Sequence, residues 1–190
     1  VVCGPIALPQ NFNFYQKSFD EVYVSSNGFI SFDPDFYSRA LNHPMDSSRT
    51  GSNKLAFFWK DLVLDIWGAG RCHTFSEADG TFVLQFTDAL EFSSSHRVSV
   101  QARLKPDGTI LMYYNKINNP QRTRIGLKGE NNEEVVDIGL NSPSLSEGAA
   151  FEFERIDFDL GQWQGLMSGT ISKEPARLRY VINASDTEVG

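Results

Sequence analysis

A chain of 190 residues, 41% hydrophobic and 22% charged, has the composition of an ordinary globular domain, and a single domain over 1–190 is the expectation. Its formal net charge of -7 argues against nucleic acid as a partner, because phosphate backbones demand clustered Lys and Arg, and disfavours an anionic membrane surface. No apolar run approaches the roughly 18 residues that cross a bilayer, so no membrane insertion is expected.

The chain begins at Val1 with neither a Met nor a charged-then-apolar leader, as a processed secretory protein or an excised domain would. VVCGPIALPQ carries prolines at 5 and 9 and is predicted as an extended, irregular arm. Phe12, Phe14 and Phe19 then enter the core around a short turn. In EVYVSS, Val22 and Val24 share a strand face, Asn27-Gly28 signals a hairpin, and Phe29, Ile30 and Phe32 return. Residues 33–53 are polar and turn-rich, the longest predicted loop, and such loops on rigid sheets are where binding residues concentrate. Leu55 to Trp67 is a dense apolar run, read as a strand buried on both faces with a short helix as the competitor.

RCHTFSE leads to an Asp79-Gly80 turn, after which Phe82, Leu84 and Phe86 alternate with Thr81, Val83 and Gln85 in another hairpin. The clearest element follows. Val98, Val100, Ala102 and Leu104 alternate with Arg97, Ser99, Gln101 and Arg103, Pro106-Asp107-Gly108 turns the chain, and Ile110, Met112 and Tyr114 line one side of the returning strand. TRIGLKG, VVDIGL and AAFEFERIDF are further strands between polar turns, and QWQGLMSGTI and ARLRYVIN extend the tail. With about eleven strands and no major helix, the fold class is all-β, a two-layer antiparallel sandwich.

SFDEVYVSSNGFISF, LAFFWKDLVLD, TFVLQFTDAL and VSVQARLKPDGTILMYYNKI followed by IGLKG, in that order, resemble the extracellular nidogen-like module. They resemble more closely the related module of plexin-domain-containing cell-surface proteins. The likeness covers Phe14 to Phe153 and rests on the order and spacing of short apolar motifs. Phe58 stands where that pattern has a proline, and the tail from Phe158 has no counterpart. The resemblance implies a nidogen-like core over 14–157, additional C-terminal strands over 158–190, and an extracellular role in interaction. Similar modules also accompany secreted proteases and large adhesive proteins.

The two cysteines, Cys3 and Cys72, fit no metal-binding spacing. A bridge between them would close a long loop and contribute on the order of 4 kcal/mol. Two free thiols are the alternative, and the sequon Asn183-Ala184-Ser185 favours the oxidising, secreted or cell-surface compartment in which the bridge forms.

Catalytic motifs are missing: His43, His73 and His96 lie in unrelated contexts, and Glu133 and Glu134 sit in the solvated ENNEE turn. The chain is therefore read as no enzyme. Asp61 and Asp65 interrupt an apolar run, where turn or backbone bonding is weighed against a cation. Asp33 and Asp35 flank Pro34 with the spacing of calcium-loop ligands, although an Asx turn explains them too, and calcium is the one cofactor considered. Trp59 belongs in the core, while Trp67 beside Gly-Ala-Gly and Trp163 between glutamines are candidate ligand contacts for sugar stacking. The wet face bearing Arg97 and Arg103 is a further contact surface. The leading reading is a non-catalytic extracellular binding or adhesion module with a protein partner. A carbohydrate-binding sandwich and an accessory domain of a secreted hydrolase are the alternatives.

Overall fold

The computed structural model describes residues 2–34, 43–66, 68–140, 145–157 and 176–182, with backbone alone for 156, 157 and 176–182. In chain order its strands are β1 (Val2–Phe14), β2 (Lys17–Ser25), β3 (Phe29–Ser31), β4 (Lys54–Trp59), β5 (Leu62–Val63), β6 (Arg71–Ser76), β7 (Phe82–Glu91), β8 (Arg97–Leu104), β9 (Ile110–Ile117), β10 (Arg124–Lys128), β11 (Val135–Leu140), β12 (Ala150–Asp157) and β13 (Ala176–Ile182). A 3-10 turn at Ser48–Thr50 is the one helical element among the described residues. One sheet has six strands in the order β1-β2-β3-β4-β10-β11; the other has seven, β13-β12-β9-β8-β7-β5, with β6 also pairing β7. The all-β sandwich expected from the alternating sequence is what forms.

Three local features differ from the sequence reading. The N-terminal arm is not irregular but the edge strand β1. Its register breaks between Cys3 and Ile6 and between Ala7 and Phe12, the intervals that hold Pro5 and Pro9. A residue with no N–H to give to a ladder is tolerated at an edge and at a bulge. The apolar run from Leu55 to Trp67 is not one strand either. All of β4 is buried in the six-stranded sheet, then the chain crosses at Lys60-Asp61 so that β5 pairs with β7 in the other. Finally β13 joins β12 in parallel, while the other pairings are antiparallel.

The Asn27-Gly28 turn organises that crossing. Gly28 O accepts from the N–H groups of both Phe57 and Phe58, at 3.1 and 2.9 Å. Two successive donors on one carbonyl turn both rings into the core. Asn27 O accepts from Lys60 N at 3.0 Å and Asn27 Oδ1 from Leu62 N at 3.3 Å, which steers the chain toward the second sheet. Gly28 has φ +79°, and a Cβ there would lie 1.9 Å from Phe58 O, so no side chain fits.

Between the sheets lies one continuous core. Phe57 of β4 meets Phe86 of β7 edge-on at 5.1 Å, and Tyr114 of β9 packs on Phe58 at 6.3 Å and on Phe151 at 5.7 Å. Tyr114 Oη donates to Phe57 O at 2.5 Å, a hydrogen bond from one layer to the other's backbone. Burial pushes the Tyr114 hydroxyl well above its ordinary pKa, so it remains a donor.

A second, smaller cluster of Phe29, Met45, Ala56 and Trp59 lies on the outer side of the six-stranded sheet. Residues 43–50 cover it. Lys54 and Lys128 are Cα partners on adjacent strands, both buried. Lys54 bonds Thr50 O and stands 4.6 Å from the Phe29 ring centre and 5.3 Å from that of Trp59. Lys128 donates to Ser47 O at 2.7 Å and to Asn132 Oδ1 at 2.8 Å. These ammonium groups hold the 3-10 turn by its carbonyls, and the turn in turn covers the sheet.

Replacing Tyr114 with Phe removes the bond between layers and little else. The substitution is expected to cost about 1–3 kcal/mol, the penalty of deleting one partner of a buried hydrogen bond. Chemical denaturation measures it; an unchanged midpoint with an unchanged slope would show that the bond contributes nothing.

Candidate functional site

The outer face of the seven-stranded sheet contrasts with the covered face opposite. Period-2 alternation sends Phe82, Leu84 and Phe86 of β7, Val98, Val100 and Ala102 of β8 and Met112 and Tyr114 of β9 into the core. The intervening positions face outward in cross-strand rows. His73, Gln85, Gln101 and Tyr113 form one row, and Phe75, Val83, Arg103 and Leu111 the next. Phe75 is 46% exposed and Tyr113 40%. Val83, although outward, is fully buried among its neighbours.

The face is not flat. Between Phe86 and Ala89, Thr87 and Asp88 of β7 both stand opposite Ser99; on the other side Asn115 is the extra residue of β9 between Tyr114 and Lys116. The central strand is thus flanked at Ser99 by a bulge on each neighbour. Bulges bend and twist a strand, and here they enclose a shallow cleft of about 270 Å³ lined by Gln85, Thr87, Ser99, Gln101, Tyr113 and Asn115 over the backbone of Phe86 and Val100. Asp88 N donates to Ser99 Oγ at 3.0 Å, and Lys116 Nζ reaches Asp88 Oδ1 at 2.7 Å across the bulged pair. The hydrogen bond and charge of Lys116 hold the Asp88 carboxyl below the usual carboxylate range.

Asp88 has φ +53°, unusual for a residue with a side chain. Its carbonyl is held from two directions, accepting from Gly70 N at 2.9 Å and from Arg97 Nη1 at 3.0 Å, while Arg97 Nη2 bonds Gly68 O at 3.1 Å. Gly70 approaches so closely that a Cβ would lie 1.6 Å from Thr87 O. A chain of side chains runs across the cleft floor. Arg103 Nη1 donates to Gln101 Oε1 at 3.4 Å, Gln101 Nε2 to Gln85 Oε1 at 2.9 Å, and Gln85 Nε2 to Thr87 Oγ1 at 3.0 Å. Arg103 also pairs with Glu77. The basic residues of this wet face are therefore engaged in support.

The residues singled out from sequence fall elsewhere. Cys3 is exposed on β1 and Cys72 half-buried on β6, both as free thiols. Their strands belong to different sheets yet close the same side of the sandwich: Gln10 of β1 lies against Gly80 in the β6–β7 turn, and Cys72, like Ile6 and Leu8, packs on the core. Burial, and then the nearby Cys3 and Asp65, push the Cys72 thiol up to about 12. Asp33 Oδ2 accepts from Asn53 Nδ2 at 3.0 Å, and Asp33 O accepts from Ser31 Oγ at 3.0 Å. Its partner in the expected calcium pair, Asp35, lies outside the described residues, as do Trp67, Trp163 and Asn183. Among the described residues no group of three or more His, Cys, Asp or Glu side chains is placed to hold a metal ion.

Trp59 is core, as expected. Asp61 sits at the corner between sheets, where burial raises its carboxyl pKa, and Asp65 adopts φ +61° in the following bend. Both lie at turns. His73 is exposed on β6, His96 is exposed in the turn that precedes β8, and His43 lies in the loop over the opposite sheet, so the three do not converge; Glu134 caps Glu130 N at 2.7 Å in its turn. Sequence reasoning placed Ser99 and Gln101 on the wet face of their strand and Gln85 on the side opposite Phe82, Leu84 and Phe86, and did not single out Thr87, Tyr113 or Asn115. The available signal was that three consecutive strands each contribute outward residues with no charge.

The fold and this face define an all-β sandwich of two sheets, one outer side covered by its own loop and the other, among the described residues, carrying uncharged polar side chains beside two half-exposed aromatic rings. The chain belongs to the nidogen-related family: the family model described as NIDO related matches residues 1–154. No curated protein and no solved structure matches it. No helix among the described residues is long and apolar enough to cross a membrane.

Gly70→Ala tests the scaffold beneath the cleft. With a backbone carbonyl in the way, the substitution is expected to lower stability by about 1–3 kcal/mol and to shift the amide resonances of Thr87, Asp88 and Ser99. Native-like stability with unshifted resonances would show that Gly70 does not support the bulge.

Proposed function

We propose that the protein is a non-catalytic extracellular binding module that engages a protein partner through the outer face of β6, β7, β8 and β9. The observation carrying this reading is the difference between the two outer faces. The six-stranded sheet buries Phe29 and Trp59 under residues 43–50, whereas the seven-stranded sheet leaves Phe75 and Tyr113 half exposed, with Tyr113 lining a cleft. Exposed aromatic rings over a rigid sheet have the composition of an interface anchor. Membership of a nidogen-related family supports placing the contact outside the cell.

In that compartment Cys3 and Cys72 form a disulfide joining the free edges of the two sheets, and Asn183 carries a glycan. β1 and β6 stand along the same side of the sandwich, so the bridge would tie the layers where no backbone ladder connects them. Titration of the denatured, unreduced protein made through a secretory pathway is expected to find no free thiol. A full titre of both cysteines would remove the bridge from the account.

The contact face is tested with fluorescent protein and cultured cells. Saturable surface binding is expected, weakened about tenfold or more, equivalent to about 1.4 kcal/mol, by Phe75→Glu and by Tyr113→Glu with melting temperature retained. Glu130→Arg, in an exposed turn of the six-stranded sheet, serves as the control and leaves binding unchanged. Equal binding by all these variants would overturn the assignment of the face.

A further inference from the structure

Resting on that reading of the face, we propose that the cleft over Ser99 is a saccharide subsite that takes a neutral hexopyranose ring from a partner's glycan. Charge gives the first argument. Gln85, Thr87, Ser99, Gln101, Tyr113 and Asn115 supply hydroxyls, amides and one exposed ring, with no formal charge among them. At the margin Asp88 pairs with Lys116 and Arg103 with Glu77, while the Arg97 guanidinium is engaged by the carbonyls of Asp88 and Gly68. Such a lining offers no ion pair to a phosphate, a carboxylate or an ammonium group. It offers many donors and acceptors to a polyol, and Tyr113 offers a flat apolar surface to the C–H face of a sugar.

Pre-organisation gives the second argument. The bonds linking Gln101 to Gln85 and Gln85 to Thr87 fix two long side chains before any ligand arrives. Each amide nitrogen spends one N–H in that chain and keeps its second, and each amide oxygen keeps a lone pair. Fixed glutamines lose less rotamer freedom on binding than loose ones. Adjacent sugar hydroxyls, each both donor and acceptor, match this alternation.

Shape gives the third. A bulge on either side of β8 at Ser99 turns an otherwise smooth sheet face into a depression. Bulges of this kind recur beside binding sites, where they re-aim side chains. The depression sits over strands with neighbours on both sides, so a peptide has no free ladder edge here to extend.

The test is an array of neutral and acidic oligosaccharides probed with the whole chain, followed by solution titration of the strongest neutral hit. Saturable binding with Kd of about 1 mM or tighter is expected. Gln101→Ala and Tyr113→Ala are each expected to weaken it about tenfold or more. Tyr113→Trp keeps or strengthens binding, a result that a purely structural role would not give. Phe92→Ala, at an exposed position outside the cleft, leaves it unchanged. Absence of any neutral hit, binding confined to sulfated or sialylated sugars, or full binding by Tyr113→Ala would overturn the subsite. If cell binding depends on Phe75 but survives enzymatic removal of surface glycans, the subsite falls and the protein-binding face stands. If Phe75→Glu and Tyr113→Glu both leave cell binding intact, the two fall together.

Discussion

The hydrogen bond from Tyr114 to Phe57 O ties the layers together at their centre, and it fixes more than stability. A strand that slips by one residue turns every side chain to the opposite face. With its hydroxyl held by the other sheet's backbone, Tyr114 locks β9 in the register that sends Met112 inward and Tyr113 and Asn115 outward. The acceptor depends on an equally specific feature, since Phe57 is positioned by the double donation of Phe57 and Phe58 to Gly28 O. The Asn-Gly turn near the start of the chain therefore helps to set which residues of β9 reach solvent.

The two outer faces show how one architecture can close one side and open the other. On the six-stranded sheet, Lys54 and Lys128 lie side by side, and burial lowers the pKa of Lys128. Two adjacent ammonium groups repel one another, so the arrangement requires acceptors. The carbonyls of Ser47 and Thr50 supply them, with Asn132 contributing to Lys128 and the aromatic rings of Phe29 and Trp59 to Lys54. The covering loop is thus held by polar bonds as well as by Met45. On the seven-stranded sheet Arg103 instead pairs with Glu77 and Lys116 with Asp88 along the surface, and the uncharged positions between them are accessible.

Much of this was legible in the sequence because antiparallel strands with one wet face write their period directly. Val98 to Leu104 and Ile110 to Tyr114 are plain cases, with Pro106-Asp107-Gly108 between them. The run from Leu55 to Trp67 was harder, because unbroken apolarity records burial without recording which sheet does the burying. Only the distant Asn27 carbonyl and amide reveal the corner at Lys60-Asp61. Prolines 5 and 9 suggested an irregular arm, since local chain preference takes no account of a partner strand that accommodates bulges. The cleft was the least visible feature. Its residues are ordinary wet-face positions, and what joins them is a pair of bulges that no periodic pattern announces.

Folding and recognition draw on different atoms here. Gly70, with no side chain, packs its backbone under Thr87 and Asp88, while Arg97 bonds the carbonyls of Asp88 and Gly68. These contacts hold the unusual backbone at Asp88 from below. The cleft-lining Tyr113 and Asn115 are exposed above it, and truncating an exposed side chain usually changes stability little. A site built in this way can vary its lining while keeping its shape, because the bend belongs to the backbone and its buried supports. That separation makes the outer face of the seven-stranded sheet adaptable to different ligands, whereas the opposite face, committed to burying Met45 and its own loop, is not.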